Sequence, residues 1–225
     1  MAYILSLETS SKICSVAIHQ DSDVLASAEI HISQSHASKL GILIEDVMKF
    51  ADIRPKDLSA VAVSSGPGSY TGLRIGVSTA KGLCFSLGIP LIAVGTLELL
   101  ASQMRKFVSR ETLLCPMIDA RRMEVYCMLV DDQLNQLTPI EPKIITEESF
   151  SDKLRTHPII FFGDGAPKCK GTITAPNAFF IDDVNPSVVH LGGIASKKLS
   201  SNQFEDLVNF EPIYLKEFAV KRSLK

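Results

Sequence analysis

The chain contains no run of eighteen apolar residues, so no segment reads as a membrane-spanning helix. Charge of one sign is not in excess. Its 23 Lys and Arg stand against 25 Asp and Glu, a formal net charge of −2, without the basic surplus usual in nucleic-acid-binding chains. Cysteine is sparse: Cys14, Cys84, Cys115, Cys127 and Cys169 are odd in number, scattered among apolar neighbours and never in a Cys-x-x-Cys, which predicts buried reduced thiols in a cytoplasmic protein. The five histidines, His19, His31, His36, His157 and His190, include no His-x-x-x-His pair and no His-Glu-x-x-His. That spacing would place two imidazoles on one helical face, and its absence speaks against a metal site and zinc-protease chemistry. No Gly-Lys-Ser/Thr closes a Walker loop, and no Gly-x-Ser-x-Gly elbow occurs. No cysteine sits in a polar turn beside a histidine, so a thiol nucleophile is also disfavoured. The start, Met1-Ala2-Tyr3-Ile4-Leu5, has no basic region and runs into Glu8, which predicts no signal peptide.

What remains is ordinary for a soluble enzyme-like fold: 225 residues, 46% hydrophobic and 21% charged, enough for one large domain or two small ones. The chain is organised around Ser64-Ser65-Gly66-Pro67-Gly68-Ser69-Tyr70-Thr71-Gly72-Leu73-Arg74-Ile75-Gly76. An apolar run, Leu58 to Val63, reads as a buried strand before it, and Thr71 to Leu87 reads as a helix after it. Gly-Pro-Gly breaks the strand, and a hydroxyl of Ser69 or Thr71 can cap the helix. A glycine-rich turn feeding a helix N-terminus can cradle an anion. The local pattern fits a plain strand-to-helix turn equally well.

The first half reads β-β-β-α-β-α-β-α. Ile4–Leu7, Ile13–Ile18 and Val24–Ile32 form an antiparallel meander. Leu40, Leu43, Ile44, Val47 and Ala51 mark one face of a helix that Arg54-Pro55 ends. Leu91–Val94 is a strand, and Leu97 to Val108 another helix. Crossover units of this kind need both sheet faces covered. In the second half, strands are expected at Leu113–Asp119, Glu124–Val130, Pro158–Phe162 and Ala178–Ile181. Short helical stretches are expected at Phe150–Leu154 and Ser187–Leu199, and an extended segment at Glu211–Leu215. The basic tail, Lys216 with Lys221-Arg222-Ser223-Leu224-Lys225, reads as a solubilising end.

An internal repeat joins the halves. Met117-Ile118-Asp119 falls on Ser6-Leu7-Glu8, and Val125 to Leu129 falls on Cys14 to Ile18. Strand, acid, polar turn and strand occur twice, which suggests domain duplication as well as the shared turn chemistry of hairpins. The turn Glu8-Thr9-Ser10-Ser11 has hydroxyls and amides that could hold a phosphate, and an exposed hairpin turn accounts for them as well. The helix after the glycine turn carries an apolar stripe (Leu73, Val77, Ala80, Cys84, Leu87). A second stripe of mostly small residues (Gly72, Gly76, Thr79, Leu83, Ser86) runs beside it. An interior glycine costs a helix about 1 kcal/mol against alanine, so Gly72 and Gly76 call for a compensating close approach. That neighbour could be the first helix, a second copy of the chain or another protein.

Together, Ile4-Leu5-Ser6-Leu7-Glu8-Thr9-Ser10, the long glycine motif, Asp119-Ala120-Arg121-Arg122-Met123-Glu124-Val125-Tyr126 and Pro212-Ile213-Tyr214-Leu215-Lys216 resemble the TsaB (YeaZ) family. The match runs over nearly the whole chain and departs from the family at Gln34-Ser35-His36-Ala37-Ser38, where the family usually has His-Ser-Glu. The resemblance implies an α/β fold of the actin/Hsp70/sugar-kinase (ribonuclease H-like) type, with a complete N-terminal lobe over residues 1–109 and a reduced C-terminal lobe over 110–225. It implies a non-catalytic subunit in the formation of N6-threonylcarbamoyladenosine, at the adenosine 3′ to the anticodon of tRNAs reading codons that start with A. In that pathway TsaD transfers threonylcarbamoyl from threonylcarbamoyl-AMP, with the ATPase TsaE assisting. The implied partners are TsaD in a heterodimer, TsaE in a ternary complex and a homodimer when alone, with tRNA contacted indirectly. No catalytic residue and no metal are expected. Thr9, Ser10, Gly66, Gly68 and Ser69 are the candidates for a nucleotide. Leu40, Ile44 and Val47 on the first helix, with Gly72, Gly76, Thr79 and Leu83 on the second, are the candidates for a partner interface. The alternatives are a small-molecule kinase of the same fold, or a peptidase.

Overall fold

A computed structural model describes residues 1–32 and 35–216. Gln34 of the departing segment and the basic residues 221–225 lie outside them.

Each half builds one five-stranded sheet, and the two sheets have the same topology. In the first, β1 (Tyr3–Glu8), β2 (Cys14–Gln20) and β3 (Asp23–Ile30) form the meander, while β4 (Ala60–Gly66) and β5 (Leu91–Gly95) run parallel to β1, giving the order β3-β2-β1-β4-β5. In the second, β6 (Leu113–Asp119), β7 (Glu124–Cys127) and β8 (Glu141–Ile144) form the meander. Strands β9 (Ile159–Phe162) and β10 (Ala178–Ile181) lie parallel to β6, giving β8-β7-β6-β9-β10. The duplication read from two hairpins therefore extends to whole sheets. The register corrects it by one residue: Glu8 pairs with Ser15 and Asp119 with Val125, so the first polar turn is one residue longer than the second.

The helices make the halves unequal. In the first, α1 (His36–Phe50) joins β3 to β4 and α2 (Tyr70–Leu87) joins β4 to β5. The corresponding connections in the second half carry only α4 (Ser151–Leu154) and the single 3-10 turn Pro167–Cys169. Local chemistry sets the limits of α2. The Ser69 hydroxyl accepts from the Gly72 amide at 3.2 Å, and Gly88, at φ 66°, ends the helix in the left-handed conformation that suits glycine. The helix expected over Leu97–Val108 is shorter: α3 (Thr96–Met104) gives way to a 3-10 turn at Arg105–Phe107. The strand expected to reach Val130 ends at Cys127, and beyond it Val130 makes isolated bridges to Leu114 and Gln136.

Alternation along the strands sorts the first core into two layers. Leu5, Leu7, Val61 and Val63 meet Leu40, Ile44 and Val47 of α1 and Val77 and Ala80 of α2. Ile4, Ala60, Ala62, Ile92 and Val94 face the other way and meet Leu191 and Ala195 of α5 (Val188–Ser200). All seven residues of β4 are buried, as a central parallel strand covered on both sides requires. The last helix of each half reaches the other half's sheet, although α3 also keeps Leu99 in the core of the first. Leu97, Leu100 and Met104 of α3 pack on Leu114, Ile118 and Phe162 of the second sheet, while α5 packs on the first. The outer face of the second sheet is closed by Leu154 of α4, Cys169 and the ring of Phe150 against Phe161. All five cysteines are buried and unpaired. Among the described residues, no helix is long and apolar enough to cross a membrane.

Candidate functional site

The polar turn between β1 and β2 and the glycine turn after β4 come together at the end of the first sheet. Glu8, the last residue of β1, is fully buried. One carboxylate oxygen accepts from the Ser10 amide at 2.6 Å and the Ser10 hydroxyl at 2.5 Å, and the other accepts from the Ser64 hydroxyl. Burial pushes the Glu8 carboxyl up from its ordinary range, and the Ser10 and Ser64 hydrogen bonds pull against it. Both oxygens are engaged by the protein itself. The group ties the hairpin turn to β4.

The glycines of α2 and its turn face this hairpin. A Cβ on Gly68 would stand 2.4 Å from the Ser10 carbonyl, one on Gly72 would stand 2.1 Å from the Thr9 carbonyl, and one on Gly76 would stand 2.2 Å from the Thr9 hydroxyl. The Ser69 amide donates to the Ser10 carbonyl at 2.7 Å. Of the five candidates, Ser10 meets Gly68 and Ser69 directly, while Thr9 meets Gly72 and Gly76 and Gly66 lies against Leu73 and Ile213. From the far side Ile213 completes the seal: its amide donates to the Ser65 carbonyl at 2.8 Å, and a Cβ on Gly66 would meet its carbonyl at 3.0 Å. The close approach that Gly72 and Gly76 called for is therefore made by a turn of the same chain. The spacing had offered a helix.

In the second half the corresponding acid behaves differently. Asp119 is half-exposed; its carboxylate accepts from the Arg121 amide at 2.9 Å and pairs with Lys168. Its own amide donates to Asp164 at 2.9 Å, and burial raises the Asp164 carboxyl. Lys168 also donates to the Glu124 carbonyl at 2.6 Å. A lysine here takes the place of the hydroxyls around Glu8. Among the described residues, no three His, Cys, Asp or Glu side chains converge to hold a metal ion.

The candidate interface residues divide. Leu40, Ile44 and Val47 are buried in the first core and cannot meet a partner directly, since the apolar stripe that identified them is the face α1 turns toward the sheet. Gly72 and Gly76 are buried against Thr9. Thr79 and Leu83 lie half-buried on the flank of α2. The solvent side of the two helices instead presents Ile42 and Phe50 on α1 and Phe85 on α2, the last 83% exposed. Two glycines missed in the sequence lie on this side. Gly41 and Gly82 are exposed and interior to their helices, and among the described residues nothing lies within 4 Å of a would-be Cβ on either. The signal that pointed to Gly72 and Gly76, glycine in a helix interior, applied equally to them.

Residues 27–153 match the family model for TsaD, tRNA N6-adenosine threonylcarbamoyltransferase. The tRNA threonylcarbamoyladenosine biosynthesis protein TsaB of Bacillus subtilis strain 168 is 34% identical over 163 residues, 71% of this chain and 70% of that protein. The chain belongs to the TsaB family. Escherichia coli K12 TsaB is 36% identical over 124 residues, 55% of this chain and 52% of that protein. A crystal structure from Pseudomonas aeruginosa, of an uncharacterized protein with similarity to peptidase YEAZ, superposes with a TM-score of 0.85 at 25% identity, over 96% of this chain and 100% of that one. The fold is the duplicated α/β fold of the actin/Hsp70/sugar-kinase type. Within this TsaB-family chain the match to TsaD takes in α1, α2 and the β6–β7 hairpin.

Proposed function

We propose that this chain is the non-catalytic subunit that pairs with TsaD in forming N6-threonylcarbamoyladenosine in tRNA. The names of its relatives place them in that biosynthesis. The observation that carries a docking role is the pair Gly41 and Gly82. Each weakens its helix by about 1 kcal/mol relative to alanine, and among the described residues nothing comes within 4 Å of a Cβ at either one. Bare backbone beside Ile42 and Phe85 suits the close approach of another helix. On this reading α1 and α2 of the lobe over residues 1–109 form the docking face, and Thr79 and Leu83 border it. The same face would pair two copies of the chain when TsaD is absent.

TsaD then performs the transfer from threonylcarbamoyl-AMP with TsaE assisting, at the adenosine 3′ to the anticodon of tRNAs reading codons that begin with A. The tRNA is contacted through TsaD, in the cytoplasm. Glu8, with both oxygens held by Ser10 and Ser64, supports a structural role for this acid in place of acid–base work. The experiment is reconstitution. The purified chain given ATP, threonylcarbamoyl-AMP and tRNA should neither turn over ATP nor modify tRNA, and adding TsaD and TsaE should yield the modified base. Turnover by the chain alone would replace this reading with the kinase one.

A further inference from the structure

Past α5 the chain continues without helix or strand through residue 216 and crosses from one lobe to the other. It first lies along the flank of α2, where the Lys81 ammonium donates to the Val208 carbonyl at 3.1 Å and the Phe210 carbonyl at 3.0 Å. Leu207 and Phe210 pack there against the first core. At Ile213 it reaches the glycine turn, with the amide bonded to Ser65 and the carbonyl against Gly66. The Tyr214 ring meets the Tyr70 ring at 4.8 Å, on the first residue of α2. Lys216 then pairs with Glu124 of β7, and its ammonium lies 6.0 Å from the centre of the Tyr126 ring. Ile213 and Tyr214 thus grip the end of β4 and the start of α2 on one side, and Lys216 grips the second-sheet hairpin on the other.

We propose that Ile213–Lys216 is a releasable clamp between the two lobes. Closed, it fastens the glycine turn of the first lobe to the β6–β7 hairpin of the second and covers Gly66. Open, it bares that turn and leaves the lobes joined by the exchanged helices α3 and α5. The grip is releasable because its attachments among the described residues are individually weak: a backbone hydrogen bond, a ring contact, the approach of the Lys216 ammonium to the Tyr126 ring and an ion pair whose side chains are 39% and 22% exposed. It is a clamp because the ion pair and the backbone bond lie in different lobes and are three residues apart, so loosening one loosens the other. The inference does not rest on the docking reading and survives its failure.

The test is hydrogen exchange on the full chain, read by mass spectrometry. Lys216→Glu sets two carboxylates against each other in the second lobe. Exchange should rise by about threefold or more, the loss expected for a partly exposed pair. The rise should reach the segments 64–70 and 210–215, in the first lobe, as well as 124–127. The charge exchange Lys216→Glu with Glu124→Lys should restore the parent rates. Unchanged rates at 64–70 in Lys216→Glu, or failure of the exchanged pair to restore them, would overturn the clamp. Ile213→Pro, which removes the amide donor to Ser65, provides the reverse test: exchange at 124–127 must rise, and an unchanged rate there counts equally against it.

Discussion

The hydroxyl of Thr9 lies so close to Gly76 that a single methyl group on residue 76 would meet it at 2.2 Å. That hydroxyl is buried and has no hydrogen-bond partner among the described residues. The β1–β2 turn is therefore seated in α2 by shape, and the glycines of α2 are what make the seat.

Gly76→Ala should lower the free energy of unfolding by about 1–3 kcal/mol, the usual penalty for overfilling a packed site. Thr9→Ala should restore most of that loss, because the atoms in the way belong to the Thr9 side chain. Gly72→Ala meets the Thr9 backbone carbonyl, and Thr9→Ala should not rescue it. Urea denaturation of the six proteins, wild type and the two double variants included, forms two double-mutant cycles. Equal rescue of both glycine variants would show that the contact is not the one described.

His19 ties β2 to α5. Its Nδ1 accepts from the Ser6 hydroxyl at 3.0 Å and its Nε2 donates to the Val189 carbonyl at 3.3 Å, while a Cβ on Gly192 would stand 2.0 Å from the ring. Burial lowers its pKa below the ordinary imidazole value, against the pull of its backbone hydrogen bonds to Val189 and Ile4. The unfolded chain then takes up a proton that the folded chain refuses. The stabilising contribution is complete above the unfolded value, near 6.5, and is lost as the pH falls below it toward the folded value. The slope should not exceed about 1.4 kcal/mol per pH unit. Relative to His19→Gln, the parent should lose stability in urea between pH 7 and 5. Glu8, raised by burial, acts in the opposite direction and cancels in the comparison. A difference between the two proteins that stays constant with pH would contradict this account of His19.

Much of the fold was legible because it rests on periodicity and turn chemistry. The meander, the buried β4 and the limits of α2 follow from alternation, Gly-Pro-Gly and the Gly88 stop. β8 was not legible: Glu141-Pro142-Lys143-Ile144 is a short edge strand with a proline, largely exposed, and shows no apolar alternation. The crossing of α3 and α5 to opposite sheets could not be read, since an amphipathic helix shows that it has a buried face and not which sheet covers it. At the site, the same limit placed Leu40, Ile44 and Val47 at an interface when their stripe belonged to the core. The glycine signal was sound, and its meaning depended on what stood opposite: Thr9 for Gly76, open solvent for Gly82.

The docking account is tested most directly by Gly82→Lys, measured for stability and for pairing with TsaD. Among the described residues nothing lies within 4 Å of a Cβ at Gly82, so the substitution should leave the isolated chain at least as stable, gaining up to about 1 kcal/mol as an exposed helix loses its glycine. Placed between two closely packed helices, the same lysine should weaken binding to TsaD at least tenfold, or about 1.4 kcal/mol. A chain that is stabilised yet cannot pair is the predicted result. Pairing at full affinity with lysine at residue 82 would contradict the claim that this face of α1 and α2 receives the partner.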